Sequence, residues 1–230
     1  MRILICFLTF IQLITVNIEA APLAPVYAQS ASQKIERAFI DDIEQTPLIL
    51  GNDDFGYNSL QGSVYELLNN AQDSILIISF TFSDPEVIRI VNQKASEGID
   101  VQLIIDRDHL NFNGQLHPSI KIGTRLHGEG HLHHKILVVD HEYIWLGSAN
   151  FTQSAFTSAK NLAIAFFSPE IGAQLYQEAL DIESSIPRVS TKPLSCSFRG
   201  QPLELYLLPH NDPESPRPIE SAMNEMESKN

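Results

Sequence analysis

Residues 74–108 read SILIISFTFSDPEVIRIVNQKASEGIDVQLIIDRD. From Ser74 to Phe82 the run is apolar, β-branched and aromatic, without polar alternation, which predicts a strand buried on both faces. Ser83 or Asp84 can then cap a helix, Pro85 suits its first turn, and Gly98 lies just past its end. Asp100 to Asp106 repeats the buried-strand pattern. Strand, helix and strand at this spacing predict a right-handed crossover between parallel neighbours.

Upstream, residues 59–72 place Leu60, Val64, Leu67, Leu68 and Ala71 on one helical face. TPLILGNDD (46–54) predicts a short strand and a turn, and the polar segment 29–46 a lead-in with a short helix. Downstream, a loop over 107–119 precedes four short strands: IKIGTRL (120–126), KILVVD (135–140), YIWLGS (143–148) and NLAIAFFS (161–168). Pro169 and Glu170 then open a helix that runs to residue 185. The expected fold class is α/β, a mixed β-sheet sandwiched by helices, formed as one lobe over residues 47–185.

The ends read differently. Residues 1–28 have Arg2 as a positive n-region, an apolar stretch from Ile3 to Val16, and small residues at Ala20 and Ala28 for cleavage. This predicts a secretory signal peptide and a secreted or periplasmic protein. The stretch is short of the ~20 residues a spanning helix needs, and no transmembrane segment is expected in the mature chain. Removal of Cys6 with the signal leaves Cys196 alone, so no intrachain disulfide is expected. Residues 186–230 read as a linker followed by a truncated repeat: LELYLLPHND (203–212) echoes TPLILGNDD, and each is followed by a polar stretch and a helical pattern.

Net charge is −13, unevenly spread. Residues 41–100 hold eleven acids against Arg89 and Lys94, whereas 101–169 hold five of each sign. An anionic substrate is repelled by most of this surface and tolerated in the middle segment. The absence of a basic run argues against non-specific nucleic-acid binding, though not against a nuclease with a local pocket.

That middle segment contains HLHHKILVVDHEYIWLGSANFT (131–152). Extending strand periodicity through it puts His133 and Lys135 on one face, with His134 and Ile136 on the other. The next strand delivers Ser148 and Asn150 at a turn where Gly147 permits close approach. Imidazole, ammonium, hydroxyl and carboxamide together make a phosphate-shaped pocket, with histidine able to act as nucleophile or acid near neutrality. A zinc site from His127, His131, His133 and His134 is the rival reading. The opposed faces, and the lack of cysteine or carboxylate at a ligand spacing, argue against metal. Asp53, Asp54, Asp106 and Asp108 read as solvated strand ends, with Asp106 near enough to shape the pocket. Trp145, Phe151, Phe156, Phe166 and Phe167 read as core.

The spacing H-x-K-x4-D-x6-G-S-x-N, carried by His133, Lys135, Asp140, Gly147, Ser148 and Asn150, resembles the HKD motif of the phospholipase D superfamily, and residues 74–108 are similar to that family's first β-α-β unit. The resemblance implies phosphodiester hydrolysis without metal or cofactor. One motif histidine forms a phosphohistidine, and a second protonates the leaving alcohol. It implies His133 as nucleophile or acid, Lys135 and Asn150 on phosphate oxygens, Ser148 and Gly147 in support, and Asp140 as a structural and electrostatic member of the catalytic set. Where relatives often carry an acid that orients the histidine, this chain has Lys160 and Asn161; Asn161 is expected to orient His133 through its amide oxygen. No second H-x-K occurs, which implies a homodimer with the site at its interface. The acidic surface favours a phospholipid substrate. An endonuclease acting on DNA or RNA is the alternative, and a phosphate-binding module without turnover is the other.

Overall fold

The computed structural model describes residues 2–6, 12–17, 38–52, 56, 59–112, 114–125, 131–184, 194–198 and 201–207. They fall into two compact units, residues 28–186 and residues 1–27 with 187–230.

The larger unit is built on a seven-stranded mixed sheet. Its strands are β3 (Leu48–Gly51), β4 (Ser74–Ser79), β5 (Asp100–Ile105), β6 (Lys121–Gly123), β7 (Lys135–Val139), β8 (Tyr143–Gly147) and β9 (Leu162–Phe167), in the order β3-β9-β8-β7-β4-β5-β6. β4, β5 and β6 are parallel neighbours, and every other pairing is antiparallel. The expected crossover is present, with α3 (Pro85–Ser96) between β4 and β5. Its cap is Asp84, whose carboxylate accepts from the Glu86 and Val87 N–H groups while Pro85 occupies the first turn.

One sheet face packs Ile75, Ile77, Val101, Leu103, Leu137 and Trp145 into a core with α1 (Ala38–Gln45), α2 (Leu60–Asn70) and α3. The alternate residues, among them Leu76, Ile78, Ile136, Val138, Ile144 and Ile164, are also buried. Helix α5 (Pro169–Ser184) packs against β8, its Gly172 so close to the β7–β8 turn that a Cβ would meet the His141 carbonyl. Burial on both faces is why these strands lack alternation in the sequence.

Three details depart from the expected elements. The strand from Ser74 ends at Ser79, so Phe80 leaves the sheet. β7 begins at Lys135, so His133 and His134 precede it rather than lie on it. A one-turn helix, α4 (Gln153–Thr157), capped by Thr152, fills the segment before β9.

The smaller unit is a four-stranded antiparallel sheet of order β1-β2-β11-β10, from β1 (Arg2–Cys6), β2 (Gln12–Asn17), β10 (Leu194–Phe198) and β11 (Gln201–Leu207). The strand expected near residue 203 is thus present. The tail helix expected after it, both candidate cleavage sites and His127 lie outside the described residues.

Candidate active site

Topology gathers the polar residues at one end of the larger sheet. Ser79 pairs with Lys135, Ile136 with Leu146, and Gly147 with Ala163. The end of β4, the start of β7, the end of β8 and the start of β9 therefore lie together. The end of β5 joins them through Asp106, whose carboxylate accepts from the Leu132 N–H at 2.6 Å and the Asp108 N–H at 3.1 Å. Asp106 thereby pins the segment carrying His131 and His133 to the sheet, the shaping role expected of it. Burial pushes its carboxyl up, but those two N–H groups and His131 outweigh burial and hold it below the usual carboxylate range.

Phe80, the residue that leaves the sheet, is the hub of the site. The ring centroids of His109, His131 and His133 lie 4.5, 5.2 and 5.3 Å from its own, and Lys135 Nζ sits 5.7 Å from its centroid. The juxtaposition of His133 and Lys135 expected from strand periodicity is therefore real, although only Lys135 is on the strand. Lys135 donates to the His133 carbonyl at 2.7 Å. Burial lowers the Lys135 ammonium pKa to about 8. For His133, burial first and then the charges of Lys135 and His131 push the imidazole below its ordinary value, against Asp106. A half-buried, neutral imidazole beside an ammonium can attack an electrophilic phosphorus while the ammonium holds its oxygens.

Asn150 follows β8 on the segment leading to Phe151, which bridges to Phe82 just past β4. Its amide oxygen is buried without a hydrogen-bond partner among the described residues. An orphaned polar atom of this kind marks a group that a ligand can satisfy. Since oxygen and nitrogen of a carboxamide are assigned by their partners, the same position can present a donor to phosphate.

Four sequence expectations are corrected. Asp140 lies at the far end of β7 from Lys135, roughly 17 Å away at ~3.3 Å per residue. Its carboxylate accepts from the N–H groups of Gln72, Asp73 and Ser74 at 2.8–3.1 Å. It ties two turns together, the structural half of its expected role, and what is corrected is its place in the catalytic set, because it takes no part in a pocket at the other end. Ser148 does not offer its proton to a ligand, because its hydroxyl donates to Asn161 Oδ1 at 2.8 Å and accepts from the Leu162 N–H at 3.1 Å. Asn161 therefore orients Ser148, not His133. Its amide nitrogen donates to the Ala155 carbonyl and its backbone N–H to Asn52 Oδ1, in a network that holds α4 against the sheet. Gly147 leaves room for protein rather than phosphate, since a Cβ there would meet Ala163 Cβ and Trp145 at 2.8 Å.

Phe80 and Asn52 were missed as site residues. Phe80 reads as the continuation of a buried strand, and only the following Ser83-Asp84-Pro85 helix start hints that the strand ends early. Nothing local marks Asn52, whose Nδ2 donates to the Phe156 carbonyl at 2.7 Å, 104 residues away. Among the described residues one group has metal-ligand proximity: atoms of Asp106, Asp108 and His131 lie within 4.8 Å of one another. Sequence spacing concealed it, because β5 and the segment before β7 meet only in the fold.

Residues 64–181, just over half of the chain, match the family model described as cardiolipin synthase, PLD-like domain. The chain belongs to the phospholipase D superfamily. It is 36% identical over 103 residues to a mitochondrial cardiolipin hydrolase of Xenopus tropicalis, covering 43% of this chain and 49% of that one. It is 32% identical over 128 residues to the Danio rerio protein of the same name, covering 53% and 56%. The chain thus spans about half the length of these curated relatives. Among solved structures, Nuc from Salmonella typhimurium, a phospholipase D family member, superposes with a TM-score of 0.52 at 20% identity, covering 60% of this chain and 93% of that one. That likeness is one of fold.

Proposed function

We propose that the chain hydrolyses phosphodiesters without metal through a covalent phosphohistidine at His133, with phospholipid as the substrate class. The observation that carries this reading is the convergence of His133 and Lys135 on Phe80, at the sheet end where the Asn150 amide oxygen is buried without a hydrogen-bond partner among the described residues. His133 attacks phosphorus, Lys135 and Asn150 hold the non-bridging oxygens, and the leaving alcohol departs with a proton. Water then releases the phosphoryl group from His133. Two sources satisfy the need for that proton: His133 of a second copy across a two-fold interface, as the single motif implies, or a group of the same chain.

The names of the curated relatives and the acidic surface both support a lipid over a nucleic acid, with cardiolipin the first lipid to try. The test is hydrolysis of phosphatidylcholine, cardiolipin and single-stranded DNA by the purified chain with EDTA present. Turnover of a lipid that His133→Ala abolishes is expected. Turnover of DNA alone would replace the substrate class, and no turnover of any substrate at any protein concentration would reduce the chain to a phosphate-binding module. We also propose export, on the strength of the residue 1–28 pattern; mass spectrometry of the protein recovered from the medium or periplasm should find its first residue near 21 or 29.

A further inference from the structure

Lys135 carries an ammonium into a buried position, with 4% of the residue exposed. Among the described residues it has one hydrogen bond, to the His133 carbonyl, and no carboxylate within ion-pair distance. A charge taken out of water needs a partner. We propose that the face of Phe80 is that partner: a positioning residue whose π-electrons hold the Lys135 ammonium where phosphate oxygens bind. This inference rests on the phosphate pocket of the proposed hydrolysis and goes beyond it in naming what sets the pocket's cation in place.

Three observations place Phe80 in that role. Lys135 Nζ lies over its ring, 5.7 Å from the centroid, inside the ~6 Å within which an aromatic face attracts a cation. Second, the chain is built to put the ring there. Ser79 pairs with Lys135 across β4 and β7, and its Oγ donates to the Thr81 carbonyl at 2.8 Å, fixing the bend on which Phe80 leaves the sheet. The Asp106 N–H donates to the Ser79 carbonyl at 3.2 Å and ties that bend to the end of β5. Third, neighbouring rings set the orientation of the aromatic face. The imidazoles of His109 and His131 stand nearly perpendicular to it, at 76° and 74°, with centroids 4.5 and 5.2 Å away.

An aromatic face does here what a carboxylate could not. Either would hold an ammonium, but a carboxylate would cancel its charge and repel an anionic phosphate. The quadrupole of the ring attracts the cation yet carries no net charge, so the positive charge remains for the substrate. Asp106, the buried carboxylate at the same sheet end, is turned to the Leu132 and Asp108 N–H groups instead. With one ammonium proton on the His133 carbonyl, the others are left for phosphate oxygens.

The experiment changes the quadrupole and little else. Nonsense suppression places 4-fluoro-, 3,5-difluoro- and 3,4,5-trifluorophenylalanine at position 80 of the full chain. Each fluorine withdraws electrons from the ring face while size and burial barely change. Two quantities are measured. One is kcat/KM on whichever of phosphatidylcholine, cardiolipin or single-stranded DNA the wild type hydrolyses; the other is the calorimetric Kd for inorganic phosphate. Both should worsen stepwise with fluorine number, reaching about 3- to 10-fold in the trifluoro protein. Phe80→Leu should lose at least as much, and Phe80→Tyr should stay within about threefold of wild type, because tyrosine keeps the π-face. Trifluorophenylalanine in place of Phe166, buried near the other end of β9, should change neither quantity. Melting curves check that each variant is folded.

A flat fluorine series overturns the assignment even where Phe80→Leu is impaired, because the ring would then serve by its bulk alone. A loss at Phe166 as large as that at Phe80 overturns it too, since fluorine itself would be the cause. Where wild type cleaves an ester, kcat/KM decides, and a flat series there sinks this inference while the hydrolysis reading stands. Where wild type binds phosphate but cleaves nothing, Kd decides; a stepwise loss of affinity then keeps the role of Phe80 while the hydrolysis reading falls. If wild type neither cleaves an ester nor binds phosphate, both fall.

Discussion

Replacing Asp140 with alanine separates a structural aspartate from a chemical one. Its carboxylate accepts three backbone N–H groups, from Gln72, Asp73 and Ser74. Hydrogen bonds to a charged group contribute about 1.5–3 kcal/mol each. The N–H groups of Gln72 and Asp73 lie near the surface, where water can replace the lost acceptor, so the three together are taken as about 2–4 kcal/mol. Asp140 also has φ of +52° and His141 +61°, in a turn closed by the Glu142 N–H donating to the Val139 carbonyl at 3.1 Å. Positive φ at both central positions marks the type I′ hairpin turn. Alanine in that conformation adds roughly 1 kcal/mol, which aspartate and asparagine escape more easily. The expected cost of Asp140→Ala is about 3–5 kcal/mol, a fall in melting temperature of roughly 6–20 °C for a unit of this size. Asp140→Asn keeps one acceptor and the turn, and should lose less than half of that. Circular dichroism melts give the stability, and kcat/KM at a temperature where both variants are folded gives the chemistry. A variant that melts with wild type yet has lost its activity would put Asp140 in the chemistry and refute its placement as an anchor.

Other outcomes follow from the same geometry. Activity should fall as pH rises through about 8, where Lys135 loses its charge, and should persist on the acid side until pH drops below the lowered pKa of His133; a pH–rate profile still flat at pH 9.5 would remove Lys135 from the phosphate clamp. The sign for stability is opposite. Lys135 is deprotonated more easily folded than unfolded, so the unfolded chain binds more protons above about pH 8 and the lysine's contribution to stability rises between there and its unfolded pKa. Denaturant midpoints across that range report it against Lys135→Met. Asn161→Asp should destabilise by about 1–3 kcal/mol, because the Ala155 carbonyl loses the nearer of its two donors, keeping only Asn52 Nδ2 at 3.3 Å, and meets a carboxylate instead; a melt unchanged from wild type would dissolve the network drawn through Asn52, Ser148 and Asn161. Gly147→Ala should lower the melting temperature through the clash with Ala163 and Trp145, whereas a stable variant with weakened substrate binding would return Gly147 to the pocket.

Much of the fold is legible from local pattern, for reasons particular elements make plain. α3 starts where Asp84 and Pro85 say it should, because capping and the fixed φ of proline are local properties. β4, β5, β7 and β9 read as buried runs because helices cover both faces of the sheet. That His133 and Lys135 lie together was likewise legible, since residues two apart need no tertiary knowledge to be placed side by side. The truncated-repeat reading of the tail meets only its first strand among the described residues.

What local pattern could not supply is which end of a strand meets which. The signature counts Asp140 with His133 and Lys135, yet a five-residue strand carries it to the opposite end of the sheet's strands, where its partners are backbone groups 66–68 residues away. Periodicity assigned Phe80 to a strand, but the chain turns out of the sheet after Ser79 and sets that ring among three imidazoles and an ammonium. It also kept His131 apart from Asp106 and Asp108, which adjoin it only because β5 lies beside β4 and β4 beside β7. The sequence by itself determined the elements and the chemical groups, because those depend on residues a few positions apart. The tertiary structure decided which groups share a site, because strand order brings together residues that no spacing rule connects.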